Sequence, residues 1–128
     1  MDINQAYEML ISVNSNLKNA FYLELKSWEP ESPPVTTMMS LLADSIMSQF
    51  SEFTDEEYVS VFRIVETLLA NGDVVVKNSI KTGFLETFMH SDDPVNSSRF
   101  TFFLGERAKA YCLSWDEFTG VKTIGLYS

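Results

Sequence analysis

The segment FTDEEY, residues 53–58, constrains the fold of this chain more than any other stretch. Thr54 and Glu57 have the spacing of a capping box, in which each side chain accepts a hydrogen bond from the backbone N–H of the other residue. Phe53 and Tyr58 flank this pair at the spacing of a hydrophobic staple. The two acids between them fall in the first helical turn, where the helix dipole favours negative charge. The segment therefore predicts that a helix starts at residue 54.

Apolar residues continue from this start with a period of 3.6 up to about residue 70, which predicts an amphipathic helix. They are Tyr58, Val61, Phe62, Val65, Leu68 and Leu69. Asn71-Gly72 would suit a β-hairpin turn, but the residues before it are helical, so a strand cannot lead into it. We therefore expect Gly72 to end the helix in the left-handed conformation and Asp73 to cap the next helix.

The next helix is predicted over residues 73–89. Val76, Ile80, Phe84 and Phe88 recur every four residues, whereas the alternation of a strand would divide this apolar set between two faces. Gly83 lies in the middle of the helix, where glycine lowers helix propensity. It predicts a close approach by a neighbouring backbone.

Similar patterns predict one long helix over residues 3–28, a second helix over 36–52 after a proline-rich loop, and a last helix over 106–118 that Gly120 closes. The residues expected on one apolar face of the last helix are Ala108, Tyr111, Cys112, Trp115 and Phe118. Residues 100–104 fit a short helix or a short strand, and residues 121–127 fit a tail or a short edge strand.

These elements predict an all-α protein with a single domain over residues 1–128 and five to six helices in antiparallel hairpins. Two arrangements stay open. One is a HEAT-like stack of helix pairs, although no strict repeat supports it, and the other is a compact bundle.

The net charge of −9 limits the classes of partner. A negative field repels nucleic acid and anionic membranes and attracts basic proteins, although acids also simply keep a small protein soluble. The N-terminus has no signal-peptide pattern, no apolar run reaches the roughly 20 residues that span a bilayer, and a single cysteine excludes an internal disulfide. We therefore expect a reduced, cytoplasmic protein that binds neither nucleic acid nor a membrane.

The residues that could carry chemistry do not form a recognised site. His90, Asp92 and Asp93 are potential metal ligands, but they match no zinc or calcium spacing. Cys112 could pair with His90 as a nucleophile and base, but Cys112 is expected on an apolar helix face, where cysteines are usually inert. The sequence therefore predicts no enzyme activity, no cofactor and no metal.

The acids instead predict a binding surface. One cluster lies where the second and third helices meet, and a smaller one follows the fourth helix. The residues concerned are Glu52, Asp55, Glu56 and Glu57, and then Asp92 and Asp93. In stacked helical hairpins alternate turns lie along one edge, so the two clusters are expected to form one acidic rim. Trp28, and after it Tyr127, are the expected aromatic anchors for a partner.

Two stretches carry a resemblance, VETLLANGDVVVKNSIKTGFLETFM and FFLGERAKAYCLSWDEFTG. Across about residues 54–120 the chain resembles a family of small acidic bacterial proteins of unknown function. Such proteins often serve as immunity proteins in polymorphic or contact-dependent toxin systems. The resemblance implies a single-domain inhibitor that binds a cognate basic toxin, with a nuclease as the expected class, and it transfers no functional residue.

The alternative function belongs to another class. The chain could be a helical scaffold or regulatory module without a toxin partner, either docking a peptide or associating with itself as a homodimer. A toxin gene beside the gene of this protein would favour the immunity role, and its absence would favour the scaffold.

Overall fold

The computed structural model describes residues 1–49, 52–91, 93–123 and 126. Within these residues the chain forms helices and no strand, which confirms the predicted all-α class. The helices are α1 (Ile3–Ile11), α2 (Ser15–Ser27), α3 (Val35–Ser48), α4 (Asp55–Asn71), α5 (Val74–Ser79, Ile80–Leu85 and Glu86–Met89 in succession), α6 (Pro94–Phe103) and α7 (Glu106–Thr119).

The helices form a compact bundle in which α5 is central, because it packs against α1, α3, α4, α6 and α7. Helix α3 lies mainly against α2 and α5, and α4 packs against α7. Aromatic rings from α4, α5 and α6 fill the core between these helices. The closest pair is Phe88 with Phe100, whose rings are stacked with centroids 4.7 Å apart.

No helix in the described part of the chain is both long enough and apolar enough to cross a membrane.

The prediction of one helix over residues 3–28 is wrong, because the helix is interrupted between α1 and α2, and Asn14 caps the second of them. The side chain of Asn14 accepts hydrogen bonds from the backbone N–H groups of Asn16 and Leu17 at 2.9 and 3.0 Å. Asparagine is among the best N-cap residues, since its short side chain can replace the missing helical acceptor. Asn14 therefore starts a new helix instead of continuing the old one.

The capping box at the start of α4 is confirmed. Glu57 N–H donates to the Thr54 hydroxyl at 3.1 Å, and Thr54 N–H donates to the Glu57 carboxylate at 2.9 Å. The rings of Phe53 and Tyr58 meet edge to face with centroids 5.1 Å apart, as the staple requires. Helix α3 ends at Ser48 instead of residue 52, and residues 50 and 51 lie outside the described part.

The turn between α4 and α5 is only partly as predicted. Asp73 caps α5, since its carboxylate accepts the Val76 N–H at 2.9 Å. Gly72 was expected in the left-handed conformation, but its φ of −69° and ψ of 156° are extended. The position requires glycine for a steric reason instead, because a Cβ there would lie 2.5 Å from the Leu68 carbonyl oxygen and from a methyl group of Val76.

The middle of α5 is π-helical over Ile80–Leu85, a feature the sequence pattern did not predict. Gly83 lies in this segment, and the predicted close approach is confirmed: a Cβ would come within 2.8 Å of Met39 Cβ and 2.9 Å of the Thr36 carbonyl oxygen. The Gly83 carbonyl accepts hydrogen bonds from the hydroxyls of Thr87 at 2.6 Å and Ser40 at 3.3 Å. These contacts join the π segment tightly to α3.

The ambiguous run over residues 100–104 is helical up to Phe103, and Gly120 closes α7 in the left-handed conformation with φ of 76°. Phe118 was expected on the same apolar face of α7 as Ala108 and Cys112, but its side chain is 90 % exposed. It lies on the Tyr111 side of α7, whereas Ala108, Cys112 and Asp116 face the core.

Three carboxylates hold α7 in place. Glu66 on α4 accepts hydrogen bonds from the backbone N–H groups of Arg107 and Ala108 at 2.8 and 2.9 Å, and so caps α7 from a distance. Glu86 accepts from the Tyr111 hydroxyl and the Trp115 ring N–H. Asp116, which is buried, accepts from the backbone and hydroxyl of Thr123. A share of the acids in this acidic chain therefore serves the fold.

We expect Glu66→Ala to lower the free energy of unfolding by about 1–2 kcal/mol, the usual cost of losing an N-cap. The substitution leaves two helix N–H groups of α7 without their acceptor. Glu117→Ala is the control, because Glu117 is an exposed acid of α7, the helix that Glu66 caps, and its removal should change stability by less than about 0.5 kcal/mol. Urea unfolding followed by circular dichroism measures both, and an equal effect of the two substitutions would contradict the capping role.

Candidate partner-binding surface

Three of the predicted acids lie together at the start of α4. Glu52, Asp55 and Glu56 are exposed, and Asp55 and Glu56 occupy the first turn, where the backbone N–H dipoles stabilise negative charge. Asp93 is also exposed and caps α6 by accepting the Val95 N–H at 2.9 Å. Asp92 lies outside the described residues.

Glu57 has a structural role in addition to its place in this cluster. One carboxylate oxygen accepts from the Thr54 N–H, and the other accepts from the Asn14 side-chain amide at 2.8 Å. Burial by itself would raise the pKa of the Glu57 carboxyl, but the hydrogen bonds from Thr54 and Asn14 outweigh it and lower the pKa. Because one carboxylate oxygen closes the capping box of α4 and the other joins α4 to Asn14, the cap of α2, we leave Glu57 out of the proposed contact surface.

Arg99 brings α6 to the start of α4. Its guanidinium donates to the Phe53 carbonyl, lies 3.3 Å from the Asp55 carboxylate and sits over the Tyr58 ring at 4.2 Å from the centroid. The pair with Asp55 is solvent-exposed on the acid's side, so its own contribution to stability is small. The ion pair matters for the orientation of α6, because it turns the Arg99 side of this helix towards the acids.

That face of α6 carries two exposed apolar side chains. Val95, Arg99 and Phe102 follow one another at helical spacing of four and three residues, so they lie on the same side of the helix. Phe102 is 81 % exposed and Val95 is 56 % exposed. We call Glu52, Asp55, Glu56, Val95 and Phe102 the acidic–aromatic patch.

Phe102 was not among the anchors expected from the sequence. The run FFL could be placed on a helix or a strand, and only the phase of α6 shows that Phe100 is buried and Phe102 is exposed. The expected anchor Trp28 is half-buried at the C-terminal end of α2. Asn14, at the other end of this 13-residue helix, is the part of α2 that contacts Glu57. Trp28 is therefore about 20 Å along the helix from Asn14 and its contact with Glu57, and Tyr127 lies outside the described residues.

Cys112 and His90, which were considered as a nucleophile and a base, have different surroundings. Cys112 is fully buried, and burial, together with the charge of Asp116, raises the pKa of its thiol to about 12. His90 is exposed, and its ring lies 5.4 Å from that of Trp115. Across the described residues, no three side chains of the metal-binding types lie close enough to hold an ion.

Comparison with known proteins places the chain in a family but gives no further relative. No curated protein and no solved structure matches it. One family model, described as a domain of unknown function (DUF7674), matches residues 7–120. This agrees with the expected resemblance to a family of unknown function, while the immunity role stays a prediction. Because the match covers most of its length, the chain belongs to this family.

Proposed function

We propose that this chain is an immunity protein that binds and neutralises a cognate basic protein toxin, with a nuclease as the expected class of toxin. The acidic–aromatic patch is the observation that carries this proposal. It combines three exposed carboxylates at the start of α4 with an exposed aromatic side chain on α6. The ion pair between Arg99 and Asp55 joins these two helices.

The two parts of the patch have separate physical roles in binding. Carboxylates opposite a basic surface accelerate encounter and select a partner of the right charge. A nuclease is a partner of this kind, because its cleft must attract the phosphate backbone. Affinity comes from a few central anchors, which are enriched in aromatic residues and desolvated on binding. Phe102 is the side chain of the patch that can supply such an anchor.

The proposal expects a basic toxin domain to be encoded beside the gene of this protein, and the absence of such a gene would count against it. The test takes that domain, with its catalytic residue inactivated, and measures affinity by calorimetry at several salt concentrations. We expect the triple variant Glu52→Gln/Asp55→Asn/Glu56→Gln to bind at least tenfold more weakly at low salt and to show a shallower salt dependence. Phe102→Ala should weaken binding by about 2 kcal/mol, roughly thirtyfold, at every salt concentration.

A matched control separates the effect of the patch on binding from the effect of net charge. The variant Glu8→Gln/Glu29→Gln/Glu31→Gln removes the same number of exposed acids from α1 and the proline-rich loop. It should bind within two- to threefold of the unchanged protein. If the patch variant keeps its affinity and its salt dependence, or if the control loses as much, the acidic–aromatic patch is not the binding surface.

A scaffold function is the second candidate, and a surface on α2 favours it. Leu23 is 75 % exposed and Tyr22 is 49 % exposed, and Tyr22 lines a groove between α1 and α2. Exposed apolar surface of this kind is typical of protein contacts. Sedimentation of the purified protein separates the candidates, since a self-associating scaffold dissociates on Leu23→Glu, while a monomer that binds the toxin domain supports the immunity role.

A further inference from the structure

A second surface has the opposite charge from the acidic–aromatic patch. It is a groove of about 380 Å³ between the end of α4, the π segment of α5 and α7. Its lining residues are Leu69, Lys81, Arg107, Ala110, Tyr111 and Ser114. We call it the cationic groove, because its two charged lining side chains are Lys81 on α5 and Arg107 on α7.

The two cations have their donor groups available. Within the part of the chain that the structure describes, neither the Lys81 ammonium nor the Arg107 guanidinium forms an ion pair with a carboxylate within 4 Å. The two acids whose hydrogen bonds border the groove have other partners. Glu66 accepts from backbone N–H groups at the start of α7, and Glu86 accepts from Tyr111 and Trp115. An incoming anion therefore competes with water, not with an internal ion pair, for the two cations.

The wall of the groove is held in place before any ligand binds. The Tyr111 hydroxyl donates to Glu86 at 2.7 Å, which fixes the ring, and the Lys81 ammonium lies 5.8 Å from the centroid of that ring. Contacts of this kind limit the rotamers of both side chains. A site that is already ordered loses less conformational entropy on binding.

The groove continues along α7 to an exposed aromatic ring. Arg107, Tyr111, Ser114 and Phe118 are spaced by four, three and four residues, so they lie on one side of the helix. Phe118 is 90 % exposed. The rise of an α-helix puts about 16 Å between the first and the last of these residues. An extended peptide covers this distance with about five residues, whereas a single small anion reaches only the cationic end.

We propose that the cationic groove binds an acidic segment of a partner protein, with carboxylates at Lys81 and Arg107 and an apolar side chain against Phe118. Charge complementarity and the length of the site identify this occupant. The inference does not rest on the proposed toxin binding, because the two surfaces select partners of opposite charge.

The test uses a fluorescein-labelled eight-residue peptide with three glutamates near one end and a phenylalanine near the other, titrated with the protein at low salt and followed by fluorescence anisotropy. We expect saturable binding that weakens at least tenfold in Lys81→Glu/Arg107→Glu and at least threefold in Phe118→Ala. The milder pair Lys81→Gln/Arg107→Gln should also weaken binding, and its circular dichroism should match that of the unchanged protein.

Lys109→Glu is the matched control, because Lys109 is exposed on α7 but points about 200° away from Arg107 around the helix. It should bind the peptide within twofold of the unchanged protein. A peptide with lysines in place of the glutamates should not bind. The proposal is overturned if the acidic peptide shows no saturable binding, if Lys109→Glu weakens binding as much as the groove variants, or if the groove variants instead abolish an association between two copies of this chain.

Discussion

Replacing Phe100 with alanine is expected to lower the free energy of unfolding by about 3–5 kcal/mol, the usual cost of deleting a buried aromatic side chain. Phe100 is fully buried and stacks on Phe88 with ring centroids 4.7 Å apart. The centroid of the Phe62 ring lies 5.7 Å from that of Phe100. These rings come from three helices, so the substitution leaves a cavity where α4, α5 and α6 meet. The loss is a large part of the 5–15 kcal/mol by which domains are usually stable.

Phe102→Ala is the matched control for this substitution. Phe102 lies two residues further along α6 and is exposed, so the same change should alter stability by less than about 0.5 kcal/mol. Urea unfolding of both variants measures the difference. Similar losses would show that α6 does not bury Phe100 and expose Phe102. The acidic–aromatic patch would then lose its aromatic member.

Replacing Gly83 with alanine is expected to lower the free energy of unfolding by about 2–3 kcal/mol, within the usual cost of overpacking a core. An ordinary glycine inside a helix would show the opposite sign, with a gain of about 1 kcal/mol from the substitution. Here the new Cβ would meet Met39 Cβ at 2.8 Å and the Thr36 carbonyl oxygen at 2.9 Å. The backbone of α3 cannot move away without disturbing the hydrogen bond from Ser40 to the Gly83 carbonyl.

Thr82→Ala is the control for Gly83→Ala, because Thr82 is the exposed neighbour in the same π segment. It should change the midpoint of thermal unfolding little, while Gly83→Ala lowers it by several degrees. Stabilisation by Gly83→Ala would show that α3 and α5 are not in the close contact described here.

The sequence predicted best where local hydrogen bonding determines the structure. The capping box of Thr54 and Glu57 and the cap at Asp73 are formed by residues three positions apart, and the structure confirms both. The break at Asn14 was missed because the apolar stripe continues across it on both sides. The decisive property was the tendency of the asparagine side chain to bind backbone N–H groups, not hydrophobic periodicity.

The remaining differences depend on tertiary contacts, which a local pattern does not contain. The π segment of α5 is joined to α3 by the hydrogen bond from the Ser40 hydroxyl to the Gly83 carbonyl. The sequence predicted the close approach at Gly83 but not the π-helical conformation. Phe118 was expected on the apolar face of α7 from its spacing, but its side chain is exposed to solvent at that end of the helix.

The same limit applies to the candidate surface. The exposed positions of Glu52 and Glu56 follow from the polar loop and first turn of α4. The assignment of Phe102 to the same surface as these acids depends on the contact between Arg99 and Asp55, which are 44 residues apart in the chain. A pairing at that distance leaves no periodic trace in the sequence, so the aromatic member of the patch could not be identified from it.

The most direct test of the proposed function takes the basic toxin domain that the proposal expects beside this gene and measures its activity while the purified protein is added in increasing amounts. We expect inhibition to be complete at one protein per toxin domain. We also expect a variant with Phe102→Ala together with Glu52→Gln, Asp55→Asn and Glu56→Gln to inhibit only at a large excess. Full toxin activity in the presence of the unchanged protein, or equal inhibition by this variant, would contradict neutralisation through the acidic–aromatic patch.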